Sequence, residues 1–238
     1  MIRNILKPFQ TAVLLYICFT LFMAVQPAGA AVLDFNIGFP TSGSIDYVND
    51  GDEIPDALVG RAIDVDYVIG GQTPLNDGID ADCIDCHLSF TTGPLSYYNG
   101  SDRWDFSGGG TITIIGGVDF KQTADDIPQG TVLLTGTFTA ASVIKFELPG
   151  NYEFRIAGGS FIDTKNEKLL EYYGLPADVL YAGGMNISFS AIAGDNDDFT
   201  SDELYSGDVT NTPVPVVSSL LLLGSGLAAG FFRRKKKA

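Results

Sequence analysis

Histidine, tryptophan and cysteine are scarce in this chain, whose 238 residues include one histidine, one tryptophan and three cysteines. The only imidazole, His87, directly follows Cys86, so a Ser-His-Asp triad has no independent general base. Among the many acidic residues, no spacing singles out a carboxylate pair of the kind that hydrolyses glycosides. The sequence therefore predicts a protein that is not an enzyme.

Basic residues are scarce between residues 31 and 212. Seven of them stand against all 29 acidic residues of the chain, which is a net charge of −22. Such a charge repels the phosphates of nucleic acid and an anionic membrane surface, and it favours solubility and attraction for cations. We expect no nucleic-acid partner.

The first 30 residues have the three parts of a secretory signal peptide. Arg3 and Lys7 supply a positive start, residues 12–25 are an apolar run, and Ala28 and Ala30 are small residues of the kind that signal peptidase requires. We expect cleavage after Ala30 and export of the chain from Ala31 onward.

The chain closes with a second apolar run. The 17 residues from Val216 to Phe232 carry no charge, and as a helix they would extend about 25 Å, the short end of the length that spans a bilayer. A basic cluster then holds the end on the cytoplasmic side. It consists of Arg233, Arg234, Lys235, Lys236 and Lys237.

This tail resembles a PEP-CTERM sorting signal. The likeness rests on the Pro213-Val214-Pro215 motif, on the Leu-Leu-Leu-Gly-Ser-Gly-Leu centre of the apolar run and on the basic end, with valine where the family motif has glutamate. The resemblance implies a membrane-anchored precursor that exosortase, a membrane transpeptidase-like enzyme, processes near the motif. A plain C-terminal membrane anchor is the alternative.

Residues 31–211 are of the right size for one exported domain. Short runs of alternating or β-branched residues, 28 glycines and a single helix signal predict a mostly β, antiparallel sandwich or jelly-roll-like fold. The helix signal is a capping-box spacing over residues 164–167, followed by the apolar Leu169, Leu170 and Tyr173. Residues 212–238 form the sorting segment.

Cys83 and Cys86 remain after the signal peptide, with Cys18, is removed. In an oxidising compartment a disulfide between them is the default expectation. With His87, however, they also form the C-x-x-C-H pattern of covalent c-type haem attachment, for which Met185 is a candidate second axial ligand. Another metal or redox use stays open.

Acidic loops are candidate calcium sites, because calcium takes carboxylate and carbonyl oxygens. The third loop, over residues 195–203, contributes Asp195, Asp197, Asp198 and Asp202, although no loop matches the EF-hand pattern. Solvated turns are the simpler interpretation. No cofactor is expected; calcium and haem are the alternatives.

Taken together, these features predict a non-enzymatic exported protein of the cell surface or of the extracellular polysaccharide matrix. Its expected partners are signal peptidase and exosortase during export, the membrane before processing, and exopolysaccharide at its destination. An exported haem protein or a secreted glycan-binding or glycan-active module are the alternatives. Trp104 with Tyr97 and Tyr98 is a candidate sugar platform, although a single tryptophan in such a fold more often lies in the core.

Overall fold

The computed structural model describes residues 30–48, 56–121, 125–148, 151–193 and 198–214. Ten strands and one helix make up this part of the chain. The strands are β1 (Val32–Ile37), β2 (Ser44–Tyr47), β3 (Ala57–Gly71), β4 (Asp80–Tyr98), β5 (Arg103–Phe106), β6 (Gly109–Asp119), β7 (Ile127–Leu148), β8 (Asn151–Lys165), β9 (Tyr181–Ala193) and β10 (Phe199–Pro213), and the helix is α1 (Glu167–Tyr173).

All ten strands belong to one antiparallel sheet that closes on itself. Strand β1 pairs with β3 and β10, β3 with β4, β4 with β6, β6 with β7, and β7 through β10 pair in chain order. Two short strands complete the sheet: β2 lies between β3 and β10, and β5 lies between β4 and β7. The mostly β, antiparallel prediction is confirmed.

The single sheet differs from the expected sandwich of two separate sheets. Long strands are the reason: β3, β4, β7 and β10 each run from one end of the fold to the other, and register shifts bend them on the way. A bulge lets a strand turn a corner without ending. Residues 131–139 and 142–148, which the sequence pattern divides into two strands, are parts of the one strand β7.

Aromatic and aliphatic side chains fill the interior. Trp104 is 4% exposed and stacks on Tyr98 with ring centroids 4.9 Å apart, and it also lies against the rings of Phe154 and Phe199. Trp104 is therefore a core residue and does not offer a sugar platform. Tyr97, by contrast, is exposed.

Helix α1 covers one end of the closed sheet. Leu169, Leu170 and Tyr173 are buried, and the Tyr173 hydroxyl lies 3.0 Å from the carbonyl oxygens of Val68 and Ile79. The helix prediction is confirmed, but its start is two residues later than the capping-box spacing indicates. Asn166 is the N-cap, and its side-chain oxygen accepts a hydrogen bond from the backbone N–H of Lys168 at 3.0 Å.

No helix among the described residues is long and apolar enough to cross a membrane. The predicted signal peptide through residue 29 and the predicted sorting helix over residues 216–232 lie outside the described residues. The basic cluster at residues 233–237 lies outside them as well.

Candidate functional site

The C-x-x-C-H segment lies within strand β4, not in a loop before it. Asp80 and Asp82 lie in an aspartate-rich stretch whose composition is typical of a loop, yet they pair with Ile69 and Tyr67 of β3. Beyond them the strand bulges: Ile84 pairs with Gly117 and His87 with Ile115, so three steps along β4 match two along β6. Asp85 adopts a left-handed backbone conformation with φ 53° inside this bulge.

The two cysteines are free thiols in the structure, and the disulfide between them stays a prediction. Cys86 is buried and Cys83 is partly buried against the same core. The Cys86 sulfur donates a hydrogen bond to the carbonyl oxygen of Gly117 at 3.1 Å. Interaction with the other thiol lowers the pKa of Cys86 and raises that of Cys83, and burial acts to raise the pKa of Cys83 further.

His87 is held between two carboxylates on the outer side of the strand. Its Nε2 forms a hydrogen bond with Oδ1 of Asp85 at 3.1 Å. Its Nδ1 lies 2.9 Å from Oδ1 of Asp64, but the geometry of this second contact is not that of a hydrogen bond. Asp64 is held in turn by the Ser42 hydroxyl, which donates to its Oδ2 at 2.6 Å. The imidazole is thus oriented by its neighbours.

These side chains line an open cavity of about 340 Å³. Its lining is acidic and sulfur-bearing: Asp64, Val65, Asp66, Cys83, Asp85, Cys86 and His87. Within the part of the chain that the structure describes, no set of three or more histidine, cysteine, aspartate or glutamate side chains is arranged to hold a metal ion.

The structure does not bring Met185 to the C-x-x-C-H segment. Met185 lies on β9, which pairs with β8 and β10, whereas His87 lies on β4 between β3 and β6. The methionine side chain is buried and lies beside Gly159, next to Phe138. The two residues therefore lie on strands that are not neighbours in the sheet, and haem attachment through the cysteines, with Met185 as second axial ligand, stays a prediction.

The third acidic loop is shorter than the sequence indicates. Strand β10 begins at Phe199, and Asp202 belongs to it. Asp198 has an oxygen without a hydrogen-bond partner among the described residues. Asp195 and Asp197 lie outside the described residues, so calcium binding here stays a prediction.

A second concave surface lies on the outer face of the sheet, and no sequence motif points to it. This outer groove has a volume of about 550 Å³ and crosses strands β7 to β10. Its lining offers an aromatic ring from Phe146, a guanidinium from Arg155, an amide from Asn186, a carboxylate from Asp208 and a hydroxyl from Thr210. Gly184 and Met185 also line it.

Strand register explains how the outer groove forms. Asn186 pairs with Asp208 and Gly184 with Thr210 across β9 and β10, so all four positions face the same side. Gly184 has no side chain and leaves the floor open. At one wall the Arg155 guanidinium lies 5.2 Å from the Phe146 ring centroid, and its Nε donates to Glu153 at 2.7 Å.

A desolvated carboxylate borders the outer groove. Burial, with a smaller effect from Asp208, raises the pKa of Asp34 to about 6, and burial raises the pKa of Asp208 as well. Oδ1 of Asp34 is buried and has no hydrogen-bond partner among the described residues. Alternating polar residues in β1, β9 and β10 are the sequence signal for this face, but in isolation they resemble solvated strand surface.

Both ends of the described domain lie side by side. Leu33, close behind the predicted cleavage site at Ala30, pairs with Asn211 of β10. Pro213 still pairs with Tyr181, and the backbone N–H of Val214 donates to the Leu180 carbonyl at 2.9 Å. The first part of the predicted sorting motif therefore continues from the sheet, while Pro215 lies outside the described residues, as does Ala28.

Comparison with known proteins does not extend this picture: no protein-family model, curated protein or solved structure matches the chain.

Proposed function

We propose that this is a non-enzymatic exported protein of the cell surface or extracellular matrix, and that its outer groove binds neutral polysaccharide. The observation that carries the proposal is the chemistry of that groove. Arg155, Asn186, Asp208 and Thr210 offer donors and acceptors to sugar hydroxyls along one open channel, and the Phe146 ring offers an apolar wall.

Charge selects the kind of polysaccharide. Residues 31–212 carry a net charge of −22, and the groove sets one guanidinium, already paired with Glu153, beside the carboxylate of Asp208. A polyanionic glycan would meet repulsion both from the groove and from the whole domain. A neutral glycan would not.

The predicted export route agrees with the position of the two chain ends. Because β1 and β10 are neighbours, the signal peptide and the sorting segment would leave the folded domain from one end. Signal peptidase and exosortase, the proposed processing partners, would then act at that end. A precursor anchored by the tail becomes a surface or matrix protein once the tail is removed.

The test is polysaccharide binding by the exported protein. The probe is the matrix polysaccharide of the producing cells, separated by anion exchange into neutral and acidic fractions. We expect binding to the neutral fraction, and we expect Asn186→Ala and Asp208→Asn each to weaken it by about tenfold, because each removes hydrogen bonds worth about 1.4 kcal/mol.

The matched control is Thr137→Ala, an exposed position of β7 away from the groove. This variant should bind as the unchanged protein does. Preference for the acidic fraction, or equal binding by all variants, would contradict the proposal.

A further inference from the structure

The bulge in β4 places two thiols together that a regular strand would separate. Residues three apart on a strand point to opposite faces. The extra residue between Ile84 and His87 reverses that parity, and Cys83 and Cys86 consequently line one cavity. Bulges and left-handed non-glycine residues, such as Asp85 here, recur at functional sites.

The two thiols are suited to different roles in thiol–disulfide exchange, one as the nucleophile and one as the resolving thiol. The interaction between the two side chains lowers the pKa of Cys86 and so favours its thiolate, and it raises the pKa of Cys83 together with burial. A thiolate is the nucleophile in thiol–disulfide exchange, and a neighbouring thiol can resolve the mixed disulfide that results.

The fold around the thiols does not depend on a bond between them. With both cysteines reduced, β4 pairs with β3 and with β6 on either side of the segment, at Asp82 and again at His87. A disulfide across so short a loop also removes little chain entropy. A bond that adds little stability to the fold is correspondingly easy to reduce.

We propose that Cys83 and Cys86 form a thiol–disulfide exchange site that reacts with neutral or positively charged low-molecular-weight disulfides. This site is separate from the outer groove and does not rest on the proposed polysaccharide binding. It also replaces the expectation of a permanent structural disulfide with that of a reversible one.

The reaction balances with a disulfide R–S–S–R as the oxidant. The Cys86 thiolate attacks one of its sulfurs, which forms Cys86–S–S–R and releases R–S⁻, and this takes up a proton. Cys83 then loses its proton and attacks the Cys86 sulfur, which releases the second thiolate. In total, two electrons and two protons pass from the protein to R–S–S–R and yield two R–SH.

The cavity lining sets the charge preference. Asp64, Asp66 and Asp85 surround the sulfurs together with one imidazole. Carboxylates that line the same cavity as the sulfurs attract a cationic disulfide and repel an anionic one, and salt weakens the effect. At low salt we expect cystamine to react about tenfold faster than dithiodiglycolate.

The experiment uses the purified exported protein in cystamine–cysteamine buffers of varied ratio. Samples are quenched with acid, alkylated and weighed by mass spectrometry, while circular dichroism reports the fold. We expect two alkyl groups in the reduced form, none in the oxidised form, and reversible conversion with the fold retained. An oxidised form that is reduced only after denaturation, or thiols that never oxidise, would overturn the proposal.

Variants test the roles of the side chains. Cys83→Ser keeps a hydroxyl donor beside Cys86, so it should form a mixed disulfide with cystamine faster than Cys86→Ser does. Asp85→Asn should reduce the preference for cystamine, whereas Asp178→Asn, at an exposed position outside the cavity, should not. If Cys86→Ser fails to fold, the rates of the unchanged protein with cystamine and with dithiodiglycolate still test the proposal. Equal rates for the two disulfides would contradict an exchange site with an acidic lining.

Discussion

Replacing Lys165 with methionine is expected to lower the free energy of unfolding by about 3 to 5 kcal/mol. The side chains of Lys165 and Asp163 are fully buried and form an ion pair inside the closed sheet, with the lysine nitrogen 4.1 Å from the Tyr181 ring centroid. Methionine keeps the volume of lysine but cannot donate the hydrogen bond that Lys165, charged or neutral, gives to Asp163. The loss would therefore measure a buried carboxylate left without a donor rather than a cavity.

The double variant Asp163→Val/Lys165→Met is the matched control. Oδ2 of Asp163 has no hydrogen-bond partner among the described residues, so the pair is incompletely satisfied. Removing both charges should therefore restore stability to within about 1 kcal/mol of the original, or raise it. Urea unfolding of the three proteins measures this, and a double variant as unstable as Lys165→Met would contradict the account.

The same pair predicts a pH dependence. Burial lowers the pKa of Lys165 to about 8 from its ordinary value of 10.5. Between these values the unfolded chain binds more protons than the folded one, so stability should rise with pH from about 8 to 10.5. Burial raises the pKa of Asp163, so its contribution should fall as pH rises above 3.8. Both trends should be absent from the double variant.

The second large effect is expected from Gly110→Ala. Gly110 has φ 67°, and a Cβ there would overlap the carbonyl oxygen of Thr91 in the neighbouring strand. The substitution adds left-handed strain to a clash with backbone, and we expect it to cost about 3 kcal/mol or more.

Gly130→Ala separates the two causes. Gly130 has φ 75°, but a Cβ there would meet no atom of the described residues within 4 Å. This variant should cost only about 1 kcal/mol, the left-handed strain alone. Thermal unfolding of both variants measures the difference. Equal losses of stability would show that the contact with the Thr91 carbonyl oxygen does not add to the cost of Gly110→Ala.

Hydrophobic alternation is a reliable guide where one face of a strand is apolar. Residues 58–69 alternate clearly and form most of β3, and Leu169, Leu170 and Tyr173 mark the buried face of α1. In such segments the same apolar residues that reveal the period also supply the burial that fixes the structure.

Strands with polar outer faces resemble loops in the sequence. Asp80 and Asp82 alternate with Ala81, which is buried, yet the density of aspartates suggests a turn. Asp202 and Glu203 of β10 mislead in the same way. Their pairing depends on strands distant in sequence, which the local pattern does not contain.

The candidate sites depend on features that no local pattern shows. The C-x-x-C spacing is visible in the sequence, but the bulge that unites Cys83 and Cys86 appears only in the register of β4 against β6. Asp163 and Lys165 adjoin a helix signal, although in the fold they form an internal ion pair. The outer groove joins residues from β7, β8, β9 and β10, so it exists only in the folded chain.

The measurement that tests the central claim most directly is the intact mass of the protein recovered from the surface or medium of the producing cells. We predict a mature form that begins after Ala30 and ends near Pro215, so that the strands from β1 to β10 are retained and both predicted membrane segments are gone. Recovery of the exported protein with residues 216–238 still attached would leave only the membrane-anchor alternative. Recovery of the full chain inside the cell, with Met1 to Ala30 intact, would contradict export itself.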